Sequence, residues 1–223
     1  LIGLIFLPMT AKIFSPFFDK GYLFSKSIGI ALLSYTLWLF SSLKIAPFYR
    51  STIFIFMFVF AGINTIFFII KSSDDSRKEI TSAKYLKRFA AEELLFLIAL
   101  ISWSFIRGLQ PNIYGLEKFM DHGFVNSILK TVYMPPMDIW YAGKSINYYY
   151  FGHYISAFLT KLTGIQSAVT YNLMMATLFS VAFSFTFSLT SNITYLWTKF
   201  GKISVLIAGV ISAAIVAFGG NLH

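Results

Sequence analysis

The stretch "TIFIFMFVFAGINTIFFII", residues 52–70, runs for nineteen positions without one charged side chain. A helix rises about 1.5 Å per residue, so roughly 20 such residues cross the ~30 Å hydrocarbon core of a bilayer. Inside that core a helix satisfies its backbone polar groups within a single segment, which makes a spanning helix the reading for 52–70. Outward from it the pattern recurs at 22–42, 91–107, 168–190 and 203–219, each without Lys or Arg at its centre. The piece "LIGLIFLP" at the start reads as the last part of another apolar helix, ending near Pro8.

Composition agrees with these segments. Of 223 residues, 57% are hydrophobic and 12% charged, with 26 Phe, which is too apolar for an ordinary soluble domain. The fold class expected is all-α, a polytopic transmembrane helical protein set in a lipid bilayer. The absence of Cys excludes disulfides and thiolate metal sites. A net charge of +9 raises nucleic acid as a partner, but the 18 basic residues are scattered between the apolar segments. That distribution reads as topology determinants and headgroup contacts, with no nucleic-acid role. Because the chain opens on Leu1 and closes on "AFGGNLH", just after an apolar segment, the expectation is a piece truncated at both ends.

Charge sets the expected topology. The segment 148–163 is apolar but holds His153 and Lys161 and is about four turns long, short for a span and suited to an interfacial or re-entrant helix. If it does not cross, one face receives Lys12, Lys20, Lys26, Lys71, Arg77, Lys78, Lys84, Lys87, Arg88, Lys199 and Lys202. The other receives Lys44, Arg50, Arg107, Lys118, Lys130, Lys144 and Lys161. The richer face is cytoplasmic by the positive-inside rule. The organisation that follows is 1–107, transmembrane helices with a cytoplasmic loop at 71–90; 108–167, an extracytoplasmic loop with juxtamembrane helices; and 168–223, further transmembrane helices. The protein is then a multi-pass protein of the cell membrane. Glu92 and Glu93, at the cytoplasmic mouth of the 91–107 span, read as acids favoured by the positive end of the helix dipole. Asn192-Ile193-Thr194 fits a glycosylation sequon but falls on the cytoplasmic side.

The external loop gathers three acids, Glu117, Asp121 and Asp138. A connection of this length favours a functional element with its own secondary structure. Within it "KFMDHGFVNSILK", 118–130, spaces Phe124, Val125, Ile128 and Leu129 as one face of an amphipathic helix on the membrane surface. Glu117 and Asp121, four apart, fall on one helical face. Such a pair either holds a divalent metal, or supplies a general base and its orienting partner, or merely begins a helix. Asp138, in "MPPMDIW", is either a further ligand or a turn residue. His122 and His153 titrate near neutrality and suit proton relay, metal binding or structural hydrogen bonds. Tyr148, Tyr149, Tyr150 and Tyr154 form either an aromatic belt at headgroup depth or a lining for a sugar or isoprenoid.

Taken together, "GYLFSKSIG", "GLEKFMDHGFVNSIL", "MPPMDIWYAGKSINYYYFGHY" and "GNL" resemble the Tyr-Tyr-Tyr-motif membrane proteins, a family of unknown function found in archaea and in Chloroflexus-group and related bacteria. That family in turn resembles the GT-C superfamily of polytopic glycosyltransferases, which carry an acidic motif in the first large external loop, followed by juxtamembrane helices. The resemblance implies a polyprenyl-phosphate-linked sugar as donor and an acceptor attacked on the outer face. It points to Asp121 as base or metal ligand with Glu117 as its partner, and to Arg107 and Lys118 beside the leaving phosphate. Asp138, Asn147, Tyr148, Tyr149, Tyr150 and His153 are the remaining substrate-binding candidates. The acids here are four apart, whereas those of the superfamily are adjacent or one apart, and His223 stands where an acid is expected. A different expectation, a non-catalytic membrane subunit or scaffold with partner membrane subunits, fits the same composition.

Overall fold

The computed structural model describes residues 1–71, 78–115, 117–198 and 201–219. Arg77, Lys199, the closing "GNL" and His223 lie outside the described residues, as does the side chain of Lys71. The chain folds into helices α1 (Ile2–Ile13), α2 (Tyr22–Ser42), α3 (Arg50–Lys71), α4 (Ala83–Gly108), α5 (Lys118–Lys130), α6 (Phe151–Thr163), α7 (Ser167–Trp197) and α8 (Lys202–Phe218). Extended pairing among the described residues is a single antiparallel bridge, Met137 to Ser145.

Four helices, α2, α3, α4 and α7, are long and apolar enough to cross a membrane, while α1 and α8 are apolar but shorter. On α3 the side chains of Ile55, Phe58, Val59, Ile63 and Ile66 are all more than half exposed. Water would not tolerate that much uncovered aliphatic and aromatic surface, and lipid requires it. The expected 203–219 span is present as α8, but its 17 residues reach only about 25 Å. The first helix does not stop near Pro8: α1 carries that proline inside and continues to Ile13. Just beyond it the buried Thr10 hydroxyl donates to the carbonyls of Phe6 and Leu7, which satisfies it within its own helix.

The largest departure from the expected elements is α4. It begins at Ala83, two turns before the apolar stretch, because "AKYLKRFAA" is rich in helix formers and buries Tyr85 and Phe89. Glu92 and Glu93 are therefore well inside the helix, out of range of the N-terminal dipole charge that reading had assigned them.

Contacts divide the chain into two compact units. The first comprises Leu1–Gly29, Ala61–Phe105 and Ala176–His223. Its core packs Tyr22, Leu23, Tyr85, Phe89, Phe187 and Ala213 together, with the rings of Tyr22 and Phe89 stacked at 4.6 Å. Gly209 of α8 allows close approach to α7: a Cβ there would lie 2.1 Å from Ser191 Oγ and 3.0 Å from the Phe187 carbonyl.

The second unit comprises Ile30–Phe60 and Ile106–Met175 and holds every residue of the candidate site. Here α5 packs on α6. Phe124, Val125 and Ile128 of α5 are buried, as are Tyr154, Ala157 and Phe158 of α6. The intervening loop is tied to α2 and its end: Met134 is fully buried, its N–H donates to Ser41 Oγ and its carbonyl accepts from Lys44 Nζ. At 13 residues α6 is about 20 Å long. It ends at Gly164, which takes φ 75° and closes the helix in the left-handed conformation.

Candidate functional site

The packing of α5 on α6 brings Asp121 to His153, 32 positions later in the chain. Nε2 of His153 donates to Oδ1 of Asp121 at 3.0 Å, since a carboxylate has only lone pairs to offer. Both side chains are partly enclosed, 27% exposed for Asp121 and 15% for His153. The other ring nitrogen, Nδ1, is buried and meets no partner among the described residues. A third group arrives from α7: the Tyr171 hydroxyl donates a long bond, 3.4 Å, to Oδ2 of Asp121. Asp121 is thus held from two sides and stays partly exposed.

Arg107, at the end of α4, is within electrostatic reach of Tyr171. Its guanidinium donates to the carbonyls of Gln110 and Asn112, which fold the chain back after the helix. Glu117 stands at the N-cap of α5; its carbonyl accepts the Asp121 N–H at 2.9 Å, and its side chain is exposed and makes no capping bond. Lys118 is half-buried in the next position. Among the described residues no three or more His, Asp or Glu side chains gather closely enough to hold a metal ion. With Glu117 exposed and no third ligand gathered beside Asp121 among the described residues, the residues present do not fit a divalent-metal site.

Aromatic side chains frame the dyad. Phe124 meets the ring of His153 edge-on at 5.4 Å, that of Trp140 at 6.0 Å and that of Tyr148 at 6.1 Å. Tyr148 and Tyr149 lie 4.0 Å apart and are both exposed. The hydrogen bond with Tyr149, followed by desolvation and the nearby carboxylates of Glu117 and Asp121, pushes the Tyr148 phenol up to about 12. Tyr150 is turned the other way: its hydroxyl accepts from Trp38 Nε1 at 3.0 Å, and burial raises its pKa. Tyr154 is fully buried against Phe48 and Phe151. The three consecutive tyrosines therefore differ in what they can touch: Tyr148 and Tyr149 face outward, and Tyr150 anchors the start of α6.

Asp138 is occupied as a turn residue. Its Oδ1 accepts the N–H groups of Trp140 at 2.8 Å and Tyr141 at 3.0 Å, closing the tip that Gly143 turns at φ 80°. Asn147 is exposed. His122 packs edge-on against Tyr171 and contacts Asn126, whose Oδ1 accepts from Ser167; burial holds the His122 pKa below the usual imidazole value. Tyr171 itself is absent from the sequence-derived candidates. It opens a span fifty residues after Asp121, and spacing carries no signal that joins the two.

A family model of uncharacterized membrane proteins, DUF2298, matches residues 32–223, most of the chain. The chain belongs to this family. In this DUF2298 protein every side chain of the Asp121 site falls inside the matched region, whereas Asp19, Tyr22 and Lys26 precede it. No curated protein and no solved structure matches the chain.

Proposed function

We propose that this DUF2298 protein is a GT-C-like membrane glycosyltransferase that takes a sugar from a polyprenyl-phosphate donor on the extracytoplasmic face. The observation that carries the reading is the hydrogen bond from His153 to Asp121, 3.0 Å long, at a partly open site framed by Phe124, Trp140, Tyr148 and Tyr149. Asp121 is the base: its carboxylate accepts the proton of the acceptor hydroxyl or amine as that group attacks the anomeric carbon. His153 and Tyr171 fix the carboxylate's orientation. The exposed aromatic rings suit the apolar face of a sugar. Arg107 and Lys118 are the cations available to the phosphate that leaves with the polyprenol.

The sidedness in this reading rests on the charge bias between the connecting segments, with the more basic set cytoplasmic.

The test is release of polyprenyl phosphate from radiolabelled undecaprenyl-phosphate mannose and glucose by the full chain in nanodiscs. Asp121→Asn is expected to abolish release. Undiminished release by Asp121→Asn removes the assigned role, and absence of release by the unaltered protein from either donor, with the fold intact, favours the non-catalytic membrane subunit.

A further inference from the structure

The first unit contains a buried ionic cluster that the Asp121 site does not use. Asp19, before α2, is fully buried, yet both of its oxygens are satisfied: Oδ1 accepts the Gly21 N–H at 3.0 Å and Oδ2 accepts the Ser188 hydroxyl. Glu93 is engaged through Oε2, which accepts from Tyr22 Oη at 2.8 Å and forms an ion pair with Lys26 Nζ at 2.5 Å. Arg88 donates to the Phe18 carbonyl and lies over the rings of Phe18 and Tyr85. Asn192 is fully buried and takes the Phe18 N–H on Oδ1 at 2.7 Å.

Glu92 is the exception. It is only 5% exposed, and its Oε2 is buried with no donor among the described residues. The charges within reach of it are Asp19 from the segment before α2, Lys26 from α2, and Arg88 from its own helix; the phenol of Tyr22 faces it as well. On α7, one turn before Ser188, Ser184 is fully buried and its hydroxyl also lacks a partner. Burying a carboxylate without a donor is far more costly than burying the neutral acid, so the site favours the protonated form. Among the side chains of the cluster, Asp19 and Glu93 offset Lys26 and Arg88, so an ionised Glu92 leaves one negative side chain in excess.

We propose that Glu92 is a proton-binding site, a buried carboxylic acid whose proton completes the charge balance of the Asp19, Lys26, Arg88 and Glu93 cluster. The neighbouring cations Lys26 and Arg88 disfavour a bound metal cation and leave the proton as the ligand. Loss of that proton puts a net charge into the core that joins α2, α4 and α7, so its occupancy couples pH to the packing of these helices.

The experiment uses the full chain in nanodiscs and dicyclohexylcarbodiimide, which reacts with protonated carboxyls in apolar surroundings. Mass spectrometry of the unaltered protein is expected to place the adduct on Glu92 in preference to Asp19 and Glu93. Its yield is expected to fall about tenfold per pH unit once the acid form is the minor species. Infrared spectroscopy reads the same group without a variant or a reagent, as a carboxylic-acid carbonyl band that shifts in deuterium oxide and is lost in Glu92→Gln. An adduct on Asp19 or Glu93 overturns the assignment, as does protection by sodium at fixed pH, which marks a cation site. If no adduct forms, the infrared band decides: its presence at neutral pH and loss in Glu92→Gln support the site, and its absence from the unaltered protein overturns it.

Discussion

Removing Asp121 and His153 singly and together measures whether the pair is one device. A hydrogen bond to an ionised group contributes about 1.5–3 kcal/mol when well enclosed. Here the partners are 27% and 15% exposed, so water competes for part of the interaction, and a coupling energy of about 1–2 kcal/mol is expected. Asp121→Ala, His153→Ala and the double variant form the cycle, followed by thermal unfolding in nanodiscs with near-UV circular dichroism. For a chain of this length each kcal/mol moves the midpoint by about 2–4 °C, so each single variant should melt several degrees low and the double variant less than their sum. Turnover should show the same non-additivity more strongly. Loss of a positioned base lowers rate about 10²–10⁴-fold, and with the carboxylate gone its positioning partner has nothing left to hold. The double variant should therefore be no slower than Asp121→Ala. A coupling within about 0.3 kcal/mol of zero, or turnover losses that multiply, would refute the dyad.

Three further outcomes follow from neighbouring residues. Asp138→Ala frees the N–H groups of Trp140 and Tyr141 and should cost about 1 kcal/mol in the same melt, with turnover retained, whereas loss of turnover at unchanged stability would return Asp138 to the substrate. Gly164→Ala forces a side chain into φ 75° with its Cβ 3.2 Å from the Arg50 guanidinium; about 1–2 kcal/mol of destabilisation is expected, and an unshifted melt would contradict the left-handed cap. Burial pulls the pKa of Lys161 down to about 8, so above that pH the unfolded chain holds the proton that the folded one releases. Stability from this group should therefore rise between about pH 8 and 10.4, and Lys161→Met should flatten that rise in a pH series of melts.

The elements that were legible in the sequence are those whose signal is local. The α2 and α5 boundaries follow from composition: apolar density marks Tyr22–Ser42, and the lysines at 118 and 130 bracket an amphipathic period. The boundaries that moved are polar extensions of apolar spans. α4 gained its first turns from "AKYLKRFAA" and α7 its last from "SNITYLW", where helix formation rests on propensity and contacts outside the apolar stretch. Asp121 was recognisable as chemistry because acids are scarce in this chain, nine in 223 residues. Its partners were not, since His153 and Tyr171 reach it only through the packing of α5 with α6 and α7.

The sharpest instance is the dipeptide Glu92-Glu93, because its meaning depends on where a helix begins. Placed at the start of a span, both acids answer to the same helix dipole and are interchangeable. Placed ten residues into α4, neighbours point about 100° apart and meet different surroundings. Glu93 then reaches Lys26 and Tyr22, and Glu92 enters the core beside Asp19 with no donor for Oε2. Exchanging a lysine for either residue would not give equivalent proteins: at Glu93 it opposes Lys26 at a partly exposed contact, while at Glu92 it adds a third cation to a buried cluster. Two turns of polar helix, continuous with the apolar span that follows, separate a pair of surface charges from a buried acid.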